Sequence, residues 1–250
     1  MTELAAAPPA KLGATDRRDA WWVGPLATFL GLSAFVVYST FRAIYNADYE
    51  VGSLLSPLYS PLLVWDDMPS WLSPSFLVLW APGGFRLTCY YYRKAYYRSF
   101  ALDPPACAVG EPKGRRYHGE TRLLILQNLH RYFLYLALVF MVILTVDVIH
   151  ACIWPDGFGI SVGTLVLAAS TTLLGLYTFS CHSFRHLVGG KIDCFSCARL
   201  GRVRHKAWRG ISLLNEQHML YAWMSLFLVG FADFYVWMAA SGRITDVRLF

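Results

Sequence analysis

Five stretches of this chain, residues 21–45, 71–97, 123–149, 159–181 and 213–239, are long and apolar enough to cross a lipid bilayer. A helical span needs about 20 mostly apolar residues, and a chain with several such runs folds as a bundle in lipid because only helices satisfy their own backbone there. Composition agrees: 56% of residues are hydrophobic and 15% charged, where soluble domains carry about 25% charged residues. The second run is the least regular, since it holds Pro82-Gly83-Gly84 and Arg86. The first run is too long for a signal-peptide core and lacks a small-residue cleavage site, so no cleavable leader is expected.

The basic residues give an orientation. Residues 46–70 and 151–158 hold no Lys or Arg, whereas 93–122 and 185–209 hold seven each, and Lys11, Arg17 and Arg18 lie in the tail. The positive-inside rule then places the N-terminus and both basic loops in the cytoplasm and the C-terminus outside. The net charge of +6 is thus topological and argues for anionic lipid or a protein partner, not nucleic acid. The expected organisation is a cytoplasmic tail over 1–20, a transmembrane body over 21–242 and an outer tail over 243–250.

An internal repeat runs through the last four spans. The second ends Cys89-Tyr-Tyr-Tyr-Arg93-Lys94 and the fourth ends Cys181-His-Ser-Phe-Arg185-His186. The third opens Leu126-Gln-Asn-Leu-His130 and the fifth Leu214-Asn-Glu-Gln-His218. The fold class expected is therefore an all-α membrane protein of five transmembrane helices. Helices two to five would form a four-helix bundle with a pseudo-two-fold axis along the membrane normal.

Depth makes the repeat chemically pointed. Both cysteines are expected about two turns before the cytoplasmic ends of their helices and both histidines about two turns after the starts of theirs, about 10–15 Å in at 1.5 Å per residue. Cys89, His130, Cys181 and His218 could thus converge as a Cys2His2 set, with His182 and His186, four apart on one face, as reserve imidazoles. Thiolate and imidazole suit zinc or an iron–sulfur cluster. A Rieske-type [2Fe–2S] cluster takes two Cys and two His, and its two-fold axis exchanges like ligands as the repeat does.

Each of these residues also has a plainer reading. A membrane cysteine is commonly a small apolar packer, which suits Cys152, and a lone membrane histidine is commonly a hydrogen-bonded helix contact. Cys194-Phe-Ser-Cys197 could form a loop zinc site with Cys107 or His205, but there is no second such motif. Disulfides are not expected where thiols face a reducing cytoplasm. His118 and His205 lie in basic loops and read as solvated, and His150 as interfacial. Asp147 and Asp233, near the outer ends of their runs, are either interfacial or serve proton uptake.

The segments "RLTCYYYRKAYYRSF", "DPPACAVGEP", "LQNLHRYFLYLAL" and "YTFSCHSFRHLVGGKID" closely resemble the cytochrome b-like membrane anchor of succinate dehydrogenase/fumarate reductase (respiratory complex II), in its actinobacterial branch. The resemblance covers most of residues 70–242. It implies a role in the respiratory chain and the tricarboxylic acid cycle, within a succinate:quinone oxidoreductase in the bacterial plasma membrane. A soluble flavoprotein subunit would oxidise succinate, a soluble iron–sulfur subunit would pass electrons to the anchor from the cytoplasmic face, and the anchor would reduce quinone. Haem-bearing anchors of the family have a ligand histidine about seven residues before the Arg-His pair, where this chain has Phe179. An embedded [2Fe–2S] cluster is therefore the expected cofactor, with haem b on His130 and His218, or a metal-free anchor or transporter, as alternatives. Quinone is expected near the cytoplasmic side at Arg185, His186 and His182. No nucleophile–base pair, phosphate loop or flavin motif is present, so the chain has no catalytic residues for succinate itself.

Overall fold

The computed structural model describes residues 11–111, 124–190, 192 and 194–250. Tail residues 1–10 and the part of the first basic loop over 112–122, with His118, lie outside the described residues.

The helices begin and end where the local chemistry requires. Helix α1 (Val23–Tyr45) stops at Asn46, which adopts the left-handed conformation and returns its N–H to the Arg42 carbonyl. A hairpin of β1 (Glu50–Val51) and β2 (Leu54–Leu55) follows. Helix α2 (Pro74–Thr88) opens with Ser73 accepting from the Ser75 N–H and with proline at its first position. It gives way at Cys89 to α3 (Tyr90–Tyr96), which continues as a π-helical turn over Tyr97–Ala101. Helix α4 (Leu124–His150) leads to a hairpin of β3 (Ile153–Trp154) and β4 (Gly157–Phe158). Helix α5 (Val162–Phe179) starts in a reciprocal Ser161/Thr164 capping box. It is followed by α6 (His182–Gly189), α7 (Gly201–Glu216) and α8 (His218–Ala240).

Among the described residues, four helical stretches are long and apolar enough to span a membrane: Val23–Tyr45, Asn128–His150, Val162–Phe179 and His218–Ala240. Their outward faces carry side chains such as Val37 and Val142, about two-thirds exposed, as suits hydrocarbon. The apolar run over 71–97 is instead divided, because the extended Cys89 leaves α2 with 15 residues. The second basic loop is largely helical, in α6 and α7, and the fifth run divides at Gln217 between α7 and α8. His218 is consequently the first residue of its helix, not two turns inside it.

The main packing pairs are α5 with α8, α2 with α4 and α4 with α5. Glycine permits one of these approaches: a Cβ on Gly84 would stand 2.2 Å from the Phe133 ring. At the end away from the cysteines, the C-terminal strand-like segment closes on the start of α5 through Leu249 N–H to Ile160 O and Val162 N–H to Val247 O. Near that end Asp233, fully buried, accepts from Arg42 Nε at 2.8 Å and from the hydroxyls of Tyr38 and Ser56, each at 2.5 Å.

Candidate metal centre

Cys89 and Cys181 both stand where a helix breaks. Cys89 has φ −63° and ψ 131°, and Cys181 has φ −65° and ψ 139°. In each case the break is closed in the same way. The cysteine N–H donates three residues back, to Arg86 O or Thr178 O, and the cysteine carbonyl accepts from the arginine four residues on, Arg93 or Arg185. The extended residue swings each sulfur into the bundle, where Cys89 is 3% and Cys181 2% exposed.

The histidines meet these sulfurs crosswise. Cys89 Sγ lies 3.5 Å from Nε2 of His218, and Cys181 Sγ lies 3.0 Å from Nε2 of His130. The other ring nitrogen is held within its own repeat: Nδ1 of His130 lies 2.9 Å from Thr88 Oγ1, and Nδ1 of His218 lies 2.7 Å from Ser180 Oγ. The hydroxyl protons are already used, since Thr88 donates to Gly84 O at 2.7 Å and Ser180 to Tyr177 O at 3.0 Å. Each hydroxyl therefore accepts from Nδ1–H, which fixes the tautomer and leaves the Nε2 lone pair facing a thiol. Aromatic rings orient the imidazoles further. Phe85 stacks on His130 at 4.7 Å and Tyr177 on His218 at 5.0 Å between centroids.

Every one of these contacts has its counterpart in the other half. Phe85, Thr88 and Cys89 correspond to Tyr177, Ser180 and Cys181, and His130 corresponds to His218. The sequence repeat thus recurs as matched contacts at the site. All four donors line a cavity of about 640 Å³, together with Tyr91, Ser183 and Asn215. Among the described residues, no three His, Cys, Asp or Glu side chains gather closely enough to hold one metal ion; the donors fall as two Cys–His pairs. The donor set nevertheless suits a two-metal group. Each imidazole presents an unprotonated Nε2 with its Nδ1–H tied back, the arrangement that metal-ligating histidines adopt.

The remaining candidates sit around this core. His182 lines the same cavity; partial burial, then Arg185 and His186, hold its imidazole below the ordinary range. Arg185 does not line the cavity. Its Nε donates to Ser212 Oγ at 2.8 Å and its guanidinium lies 4.6 Å from the Trp208 ring. His186 pairs through Nδ1 with Arg131 at 2.7 Å. Cys194 and Cys197 are joined as a disulfide with Cα atoms 5.3 Å apart, a spacing that favours the bond. The expectation of free thiols, and with it the loop zinc reading, does not hold for that pair.

Sequence reasoning missed Thr88, Ser180, Phe85 and Tyr177, although laying Cys89 over Cys181 pairs them at once. It also missed Asn215, whose amide donates to Ser180 O at 2.6 Å. Arg86 was noted only as an irregularity in a span. Its guanidinium lies 4.7 Å over the Tyr177 ring and donates to Tyr92 Oη, Ala222 O and Ser225 Oγ.

On the far side of Phe85 and Tyr177 lies an apolar chamber of about 230 Å³, with Arg86 on its wall. Tyr177, 1% exposed, is among the residues lining this chamber, and its hydroxyl has no hydrogen-bond partner among the described residues.

Long apolar helices around buried, two-fold-related thiol–imidazole pairs define a helical membrane subunit with a candidate metal centre in its core. The family described as actinobacterial succinate dehydrogenase subunit SdhC matches residues 23–242. The chain belongs to that family and is the membrane-anchor subunit of a succinate dehydrogenase complex. It is also similar to a chain in a solved structure, the Mycobacterium smegmatis Sdh1 complex in the apo form, with 43% identity and a TM-score of 0.87 over 100% of this chain and 97% of that one. No protein with a curated description matches.

Proposed function

We propose that this anchor passes electrons from a soluble iron–sulfur subunit to quinone through a Rieske-type [2Fe–2S] cluster held by Cys89, Cys181, His130 and His218. The observation that carries the reading is the pair of Nδ1–H bonds to Thr88 and Ser180, which leave both Nε2 atoms free to ligate. Such a cluster would supply one-electron transfer at a potential raised by its neutral imidazole ligands. The chain's residues supply orientation and burial. The hydroxyls fix the tautomers, Phe85 and Tyr177 fix the ring planes, and the two helix breaks aim the sulfurs inward. A fifth span, formed by α2 continued through α3, would complete a four-helix bundle of helical spans two to five. The N-terminus and the cavity mouth would face the cytoplasm, where the flavoprotein and iron–sulfur subunits dock.

For the quinone, His182, with Arg185 and His186 behind it, offers polar groups at the cavity mouth. A second placement is favoured by the unpartnered Tyr177 hydroxyl. In the chamber beyond Phe85, a quinone ring would lie against apolar walls, with Tyr177 and Arg86 as donors for its carbonyls.

Iron, acid-labile sulfide and haem analysis of the intact complex, with EPR of the succinate-reduced state, tests the cofactor. A rhombic Rieske-like signal that disappears in Cys89→Ser and His130→Ala, together with quinone reductase activity, supports the reading. Paired haem bands replace it with a haem b anchor. Full activity in both variants replaces it with a metal-free anchor.

A further inference from the structure

Asp147 and Asp233 sit near the same end of the bundle but are differently engaged. Asp233 is locked by Arg42, Tyr38 and Ser56, whereas the Asp147 carboxylate is bonded by the single hydroxyl of Ser60. Asp147 lies half-buried at the junction of two cavities. One opens at the hairpin end of the molecule beside Glu50 and His150. The other is a small space of about 10 Å³, the volume that holds one water. Ser170 lines this small space; its side chain is 1% exposed and its hydroxyl has no partner among the described residues. A buried hydroxyl without a protein partner is ordinarily satisfied by bound water.

The small space adjoins the apolar chamber, because Pro57 and Leu144 line both. Ser170, Leu174 and Tyr177 follow one another along one stripe of α5, with Ser170 and Tyr177 about 10 Å apart by helical rise. The two buried, unpartnered hydroxyls thus stand at the two ends of this stripe. Glu50 on β1 and His150 on α4 are the titratable groups that line the outer cavity with Asp147, and the Arg42–Asp233 pair lies between α1 and α8 near the same end.

We propose that Asp147, with water held at Ser170, is the entry of a proton route from the hairpin end to the chamber. The proposal rests on the chamber reading of the quinone site. Each quinone takes two electrons from succinate by way of the redox centre. It takes two protons at its carbonyl oxygens, and these leave the water at the Asp147 mouth. After each transfer Asp147 is reprotonated from that water. The acidic side chain thus alternates between the two cavities it borders, and Ser170 holds the water that receives the proton.

The test uses the whole complex in sealed vesicles, with a pH dye on the hairpin side and ubiquinone-1 as acceptor. Asp147→Asn keeps an acceptor for the Ser60 hydroxyl but cannot relay a proton, and Ser170→Val fills the small space. Both variants are expected to form quinol at least fivefold more slowly and to lose alkalinisation on the hairpin side. Reduction of the enzyme's own redox centre by succinate should keep its wild-type rate, and Asp147→Glu should restore turnover. Wild-type quinol formation in both Asp147→Asn and Ser170→Val would overturn the route. So would proton uptake on the cysteine side in the wild-type complex. A parallel Leu79→Trp variant, at a residue that lines the chamber and not the small space, separates the two failures. If it alone abolishes turnover, the chamber holds quinone and protons arrive otherwise. If it too is active, the chamber reading falls with the route.

Discussion

Thr88 Oγ1 lies 2.9 Å from Nδ1 of His130 while donating its own proton to the Gly84 carbonyl. The hydroxyl can therefore only accept, and His130 must carry its proton on Nδ1. Thr88→Val keeps the shape and removes the acceptor. Outer contacts of this kind typically govern 10–100-fold in metal affinity or activity, so iron retained by the purified complex and quinone reductase activity are both expected to fall by about that factor. Thr88→Ser should retain both.

Arg42 and Asp233 are both fully buried and bonded at 2.8 Å. Arg42→Met strands the carboxylate with Tyr38 and Ser56, which is expected to cost about 3–5 kcal/mol. It should appear as a marked fall in the unfolding temperature of the complex in detergent. Arg42→Met with Asp233→Leu removes both charges and should recover most of the loss.

Gly84 lies where α2 packs on α4, since an added Cβ would meet the Phe133 ring at 2.2 Å. Alanine gains about 1 kcal/mol in helix propensity, but overpacking of this kind costs about 1–3 kcal/mol. Gly84→Ala is thus expected to be net destabilising in thermal unfolding. It should also displace His130, three residues before Phe133, and so lower bound iron. Phe133→Leu in the same chain should relieve both effects.

Partial burial, then Arg185 and His186, depress the His182 imidazole below 6.5. Between its folded value and 6.5 the unfolded chain binds the extra proton, so stability falls as pH drops through that window. Unfolding temperature measured from pH 7 to pH 5 should decline less steeply in His182→Gln than in the wild type.

Four of the five expected spans, and the meeting of two cysteines with two histidines, were legible because they rest on patterns a sequence displays directly: long apolar runs, and cysteines and histidines repeated along the chain. The crossing of partners, Cys89 to His218 and Cys181 to His130, was not legible. Spacing gives depth along a helix but not which neighbouring helix a side chain faces. Helix α7 was read as a basic loop because five of its sixteen residues are Arg, Lys or His. Those charges share the helix with Val203, Trp208, Ile211 and Leu214, an amphipathic mixture that a count of charges hides. The Cys194–Cys197 bond was missed because compartment chemistry was weighed and local chain geometry was not.

The kinks at Cys89 and Cys181 have a further consequence. Each begins a new helix at the sulfur, and the first turn of a helix leaves N–H groups unpaired and a partial positive charge. Negative charge that the proposed cluster would bring to the two sulfurs would therefore meet two oriented backbone dipoles, a polarity that an unbroken pair of helices would not supply at that depth.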